Sequence, residues 1–147
     1  VPPARNVGPK ASHLLLGERG EAAAEKLLRA KGYRVLYRNW RAGSLELDLV
    51  CRTGRTVVFV EVKARGAGSR GSPTDGLTPA KRSRLARAAA QWLSAHDLWG
   101  APCRFDLVAV HAAKGEGGEP GTLECEHFEN VIDIAEALSA QGSWQPW

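Results

Sequence analysis

Two pairs of residues place charge where a strand would ordinarily carry apolar side chains. In VFVEVK (58–63), Glu61 and Lys63 lie two apart, so both point to one face with Cα atoms roughly 6 to 7 Å apart. Glu46 and Asp48 repeat the spacing in LELDLVC (45–51). If these segments are hairpin neighbours, carboxylates from two adjacent strands converge. Gathering like charges there costs several kcal/mol unless a cation offsets it. A hard divalent ion suits such a site, because Mg²⁺ takes oxygen ligands at about 2.0 to 2.1 Å. Lys63 would then be a fixed cation beside the metal, able to hold a water or to stabilise charge developing on phosphorus. Glu21, just after Gly20, offers a further carboxylate, and glycine there lets a strand or a substrate backbone approach closely. The alternative is a solvated face, with the acids in cross-strand ion pairs and Gly20 and Glu21 on the wet side of an amphipathic helix.

The elements that must position these residues follow from periodicity. Residues 12–31 are rich in helix formers, with Leu16, Ala23, Leu27 and Ala30 spaced to share a face and Gly32 as a C-terminal stop. YRVLYRNW (33–40) reads as a strand. In 45–51, alternation puts Leu45, Leu47 and Leu49 on one side and Glu46, Asp48 and Val50 on the other. TVVFVEVKAR (56–65) is apolar on both faces until Glu61, as a strand in mid-sheet should be. Residues 66–78 read as a loop. Thr78 and Pro79 open a second helix through about residue 96, burying Leu85, Ala88, Ala89, Trp92 and Leu93. RFDLVAVH (104–111) is a fourth strand, KGEGGEPG (114–121) a loop and TLECEHF (122–128) an edge strand, after which Asn130 caps a short helix. The order predicts an α/β fold with a mixed central sheet of about five strands flanked by helices. The domain runs over 12–140, between a leader at 1–11 and a tail at 141–147.

The chain has 147 residues, enough for one core. Its composition is that of a globular protein, with no stretch near the roughly 18 apolar residues of a membrane span. Cysteines at 51, 103 and 125 lack the spacing of a disulfide framework or a zinc site, and the histidines at 13, 96, 111 and 127 have no metal spacing. With no secretory signal in the first residues, the expected compartment is the cytoplasm. Charge is uneven: residues 1–104 hold 19 Lys and Arg against 8 Asp and Glu, a balance of +11, and the remainder carries −7. A basic region of this kind attracts polyanions, nucleic acid above all. Lys81, Arg82, Arg84 and Arg87 on the second helix, with Arg65 and Arg70 in or near the loop, are the candidate phosphate contacts. An ordinary solvated helix face is the competing reading. Trp40 and Trp92 fit a core or its edge, and Trp144 and Trp147 sit in the tail.

The runs ERGEAAAEKLLRAKGYRVLYRNWR, LELDLV, VFVEVKAR, PAKRSRLARAAAQWL and RFDLVAV together resemble the YraN-like family of predicted endonucleases. That family is assigned to the PD-(D/E)xK nuclease superfamily, with Holliday-junction resolvases as relatives. The resemblance covers roughly residues 15 to 110. It implies a restriction-endonuclease-like core, with Asp48 and Glu61 as metal ligands and the main-chain carbonyl of Val62 as a third. Lys63 matches the lysine that orients the attacking water, Glu21 the helix acid that completes the metal site, and Glu46 an acid two residues before Asp48. Where the family usually has glycine before that acid, this chain has Leu45. The function implied is a Mg²⁺- or Mn²⁺-dependent endonuclease on nucleic acid, with structured or branched DNA in repair or recombination favoured over RNA and the choice between the two left open. A homodimer would suit symmetric cuts. The alternative is a catalytically silent nuclease-fold module that binds nucleic acid or scaffolds a complex.

Overall fold

The computed structural model describes residues 9–66, 71–114 and 120–139, with side chains at 17–66, 71–112 and 122–139. Residues 1–8 of the expected leader, Arg70 and the tail with Trp144 and Trp147 lie outside these. In chain order the elements are α1 (Pro9–Ala30), β1 (Arg34–Ala42), β2 (Leu45–Thr53), β3 (Thr56–Arg65), a 3₁₀ turn (Pro73–Gly76), α2 (Pro79–Ala95), β4 (Cys103–Lys114), β5 (Pro120–Ile132) and α3 (Ile134–Ser139). The five strands form one mixed sheet in the order β1-β2-β3-β4-β5. Only the β3–β4 pair is parallel. This is required by the crossover through α2, because a tight hairpin can join only antiparallel neighbours.

Helices cover both faces. On one side Ala24 and Leu28 of α1 pack with Leu49, Cys51, Val58, Val60, Val108 and Val110. On the other, Leu85, Ala88, Ala89, Trp92 and Leu93 of α2, all expected there, pack with Leu45, Leu47, Val50, Val57, Phe59 and Phe105. Each large side chain so buried contributes about 1.5–3 kcal/mol. Trp92 meets Phe59 edge-on at 5.8 Å between ring centroids, and the three cysteines are unpaired strand residues. Among the described residues no helix is long and apolar enough to cross a membrane.

Boundaries behave as their chemistry dictates. The Tyr33 N–H reaches back to Leu28 O while Gly32 sits at φ 89°, a helix stop that glycine adopts without strain. Thr78 Oγ1 accepts from Lys81 N–H at 3.2 Å, with Pro79 opening α2.

Four expectations change. Helix α1 begins at Pro9, three residues early, and its buried line is Gly20, Ala24 and Leu28, with Ala23 and Leu27 at its edge and Ala30 exposed. Asn130 does not cap the last helix. It belongs to β5, which runs on to Ile132, and its N–H donates to Asp106. The cap is Asp133, whose Oδ1 accepts from Glu136 N–H at 3.0 Å. Finally, the three leucines of β2 do not share a face. Leu45 and Leu47 pack with α2 and Leu49 with α1, so the strand changes sides at Asp48.

Candidate metal and nucleic-acid site

The β2–β3 ladder pairs Thr53 with Thr56 and continues to Leu49 opposite Val60. One step further the strands part, at the level of Asp48 and Glu61. The Val62 N–H donates to Asp48 Oδ2 at 2.9 Å, so this side chain takes over where strand pairing ends. Glu61 is hydrogen-bonded to Asp48 and its pKa is raised, by burial first and then by the Asp48 charge, with Lys81 opposing both. The pair is an oxygen donor set whose charge calls for a cation, the arrangement that suits a hard divalent ion. Val62, whose carbonyl is the candidate third ligand, lies between Glu61 and Lys63 on β3.

Lys63 is half-buried on β3 and its ammonium lodges against Gly76, where a Cβ would overlap it. The 3₁₀ turn that presents Gly76 has its own capping box: Ser72 accepts from Thr74 N–H and Asp75 accepts from Ser72 N–H. Arg65, a candidate phosphate contact, donates to the carbonyls of Gly71 and Ser72, each at 3.0 Å. Its guanidinium therefore pins the turn that walls the site.

Glu21 approaches from α1. Its pKa is raised by partial burial and by Asp48, while a hydrogen bond from Asn39 acts the other way. Asp48 is thus the common neighbour of Glu21 and Glu61. Gly20 makes this approach feasible, because a Cβ there would stand 3.0 Å from Ala64 Cβ on β3. Of its two sequence readings, close approach to a strand is the one observed. Asn39 escaped the sequence reading. It holds φ 50° within β1, a conformation that asparagine tolerates better than most residues, and an Asn among the aliphatic, aromatic and basic residues of that strand was the available signal.

Glu46 stands apart from this group. Its side chain is 60% exposed and lies 3.9 Å from Arg41 on β1, an ion pair on a wet face. On α2, Arg82, Arg84 and Arg87 are exposed, as a row of phosphate contacts and a solvated helix face both require. Lys81 differs from them, with Nζ 3.6 Å from Glu61 Oε1. The Cys51 thiol is buried and pushed up to about 12 by that burial, so it is no nucleophile at neutral pH.

A second cluster was not visible in the linear spacing of the histidines. Asp106, His127 and Glu129 bring ligand-type atoms within 4.8 Å of one another, a candidate divalent-metal group. Their atoms are nevertheless already engaged. Arg104 donates to both oxygens of the wholly buried Asp106, at 3.0 and 3.2 Å, and the Asn130 N–H adds a third bond. His127 Nδ1 faces the Lys31 ammonium at 3.0 Å, so Nε2 carries the proton that bonds Asp106 Oδ2 at 2.8 Å. Glu129 accepts from the Tyr33 hydroxyl at 3.1 Å. Two protein cations already supply the positive charge that a metal would bring.

Fold and site together define an α/β domain with a mixed sheet and a candidate acid-and-lysine metal site at the point where two central strands separate. The chain belongs to the Uncharacterised protein family UPF0102, which matches residues 20–110. A UPF0102 protein of Nitratidesulfovibrio vulgaris is 50% identical over 132 residues, covering 89% of this chain and 94% of the other. One of Oleidesulfovibrio alaskensis is 46% identical over 142 residues, covering 97% of this chain and 69% of the relative. Among solved structures, Pyrococcus furiosus SfsA in complex with Ca²⁺ is similar at a TM-score of 0.36 and 17% identity, over 82% of this chain and 65% of that one.

Proposed function

We propose that this protein is a divalent-metal-dependent endonuclease that hydrolyses phosphodiester bonds of nucleic acid. One observation carries the reading: Asp48 and Glu61, from adjacent strands, share a hydrogen bond at the open end of their ladder, with Lys63 two residues beyond Glu61. A bridged pair of half-buried carboxylates is costly for stability alone and well suited to holding a cation. Asp48, Glu61 and the Val62 carbonyl would hold Mg²⁺ or Mn²⁺, with Glu21 completing the set. Such an ion supplies Lewis acidity toward the phosphate and lowers the pKa of a bound water.

The protein's own groups do the rest. The Val62 N–H orients Asp48 by occupying one of its oxygens. Lys63, fixed against Gly76, supports the hydroxide form of the attacking water. Arg84 and Arg87 on α2 hold the backbone phosphates without reading sequence. Branched DNA as substrate and repair or recombination as setting extend this reading through the resemblance to the YraN-like family of predicted endonucleases; a homodimer would suit symmetric cuts, and the cytoplasm is the location proposed from the cysteine usage.

The decisive measurement is cleavage of flapped and four-way DNA by the purified chain with Mg²⁺, Mn²⁺ or EDTA. Cleavage should need the metal and be lost in Asp48→Ala and in Lys63→Ala. Equal cleavage by wild type and both variants would reject the proposal.

A further inference from the structure

Sequence spacing groups Lys81 with Arg82, Arg84 and Arg87 as one phosphate-binding row, yet its surroundings set it apart. Its Nζ lies 3.6 Å from Glu61 Oε1, with the Lys81 side chain 45% exposed and that of Glu61 16%. The first turn of α2 contains no acid, so Lys81 stands at the positive end of the helix dipole, where a cation is disfavoured. Glu61 offsets that cost. Between them lies a cavity of about 90 Å³ whose walls include Glu61, Lys63, Gly76 and Lys81. Lys63 of the strand and Lys81 of the helix thus line one cavity with the half-buried Glu61, and Lys81 is the one in ion-pair contact with it. Lys63 is held by its fit against Gly76, whereas Lys81 reaches in from solvent on a flexible stem.

We propose that Lys81 is a second lysine of the catalytic site, which pairs with the ionised form of Glu61 while no metal is bound and turns to a non-bridging oxygen of the phosphodiester once a divalent ion takes Glu61. The inference rests on the nuclease reading above. A divalent ion on Glu61 repels the ammonium at short range, which favours the departure of Lys81. An exposed four-carbon stem has room to move, and the nearest strong acceptor is then the substrate phosphate. Lys81 would couple metal occupancy to substrate binding, which a plain surface phosphate contact does not do.

Two measurements on the full chain test this: calorimetric titration with Mn²⁺, and binding of a fluorescein-labelled four-way DNA junction in Ca²⁺ and in EDTA. Lys81→Met should bind Mn²⁺ about two- to fivefold more tightly than wild type, the scale of a partly exposed ion pair removed as competitor. It should lose junction affinity in Ca²⁺ but keep it in EDTA, whereas Arg84→Ala should lose it equally in both. Unchanged or weaker Mn²⁺ binding by Lys81→Met, or an equal junction loss with and without Ca²⁺, would overturn the role. Asp48→Ala separates the two levels: if it keeps wild-type Mn²⁺ affinity, the metal site itself is rejected. If it loses that affinity while Lys81→Met matches wild type, the site stands and the Lys81 role falls.

Discussion

Glu61 holds a proton more readily than an ordinary glutamate, because burial and the Asp48 charge both oppose its ionisation. That has a consequence for stability with a definite sign. The folded pKa lies above the unfolded one, so between the two the folded state binds more protons and stability falls as pH rises. The urea midpoint of the metal-free protein should therefore decline from about pH 5 to about pH 8, and Glu61→Gln should flatten the slope. A wild-type profile as flat as that of the variant would contradict the assignment. Mn²⁺ competes with the same proton, so metal affinity should climb over the same interval. At this scale the charged positions were legible, since Asp48, Glu61 and Lys63 interrupt apolar strands. Glu46 carries the same pattern and lies outside the site, because alternation cannot tell a solvated strand end from a converging one.

Elements bring these groups together through close approaches that only small residues allow. Gly20 lets α1 lie against Ala64 on β3, carrying Glu21 toward Asp48. Gly20→Val should cost about 1–3 kcal/mol by overpacking, and Ala64→Gly in the same chain should recover part of it, as paired denaturation curves would show. A plain additive sum would mean that the two do not meet. Gly76 plays a different part, since its missing Cβ leaves room for the tip of Lys63. Gly76→Ala should fold with near wild-type stability, because a flexible lysine end can move aside. Its metal affinity should be retained while cleavage drops by an order of magnitude or more, on the scale of general acid–base groups. Loss of fold instead would show that the turn, and not the lysine, depends on this glycine. The Gly-, Ser- and Pro-containing stretch before α2 was readable as a loop, but its 3₁₀ turn was not, because the Arg65 bonds that pin it arrive from β3.

Across the whole molecule, the Arg104–Asp106–His127 network joins β4 to β5 and, through Lys31 and Tyr33, to the end of α1. Removing one partner of a buried pair strands the others, so Asp106→Ala should lose about 3–5 kcal/mol of stability. Mn²⁺ affinity of the folded variant should match wild type. A weakened titration would assign the metal to this cluster instead. The basic balance of residues 1–104 finds an exposed outlet on α2, where Arg84 and Arg87 are three apart on one flank. Converting both to alanine should reduce the salt slope of DNA binding by about two units, and an unchanged slope would remove them from the interface.

Local pattern by itself determined the element order, the apolar face of α2, the Thr78 cap and the identity of the strand acids, because each depends on neighbours one to four positions away. Tertiary structure decided the rest. Asn130 entered β5 because its N–H found the buried carboxylate of Asp106, 24 residues distant. Lys81 meets Glu61 because α2 starts beside it, and Asn39 met Glu21 only once β1 folded under α1. Which side chains face each other across a sheet follows from register, crossover and twist, and these are set by the burial of the whole core rather than by any one segment.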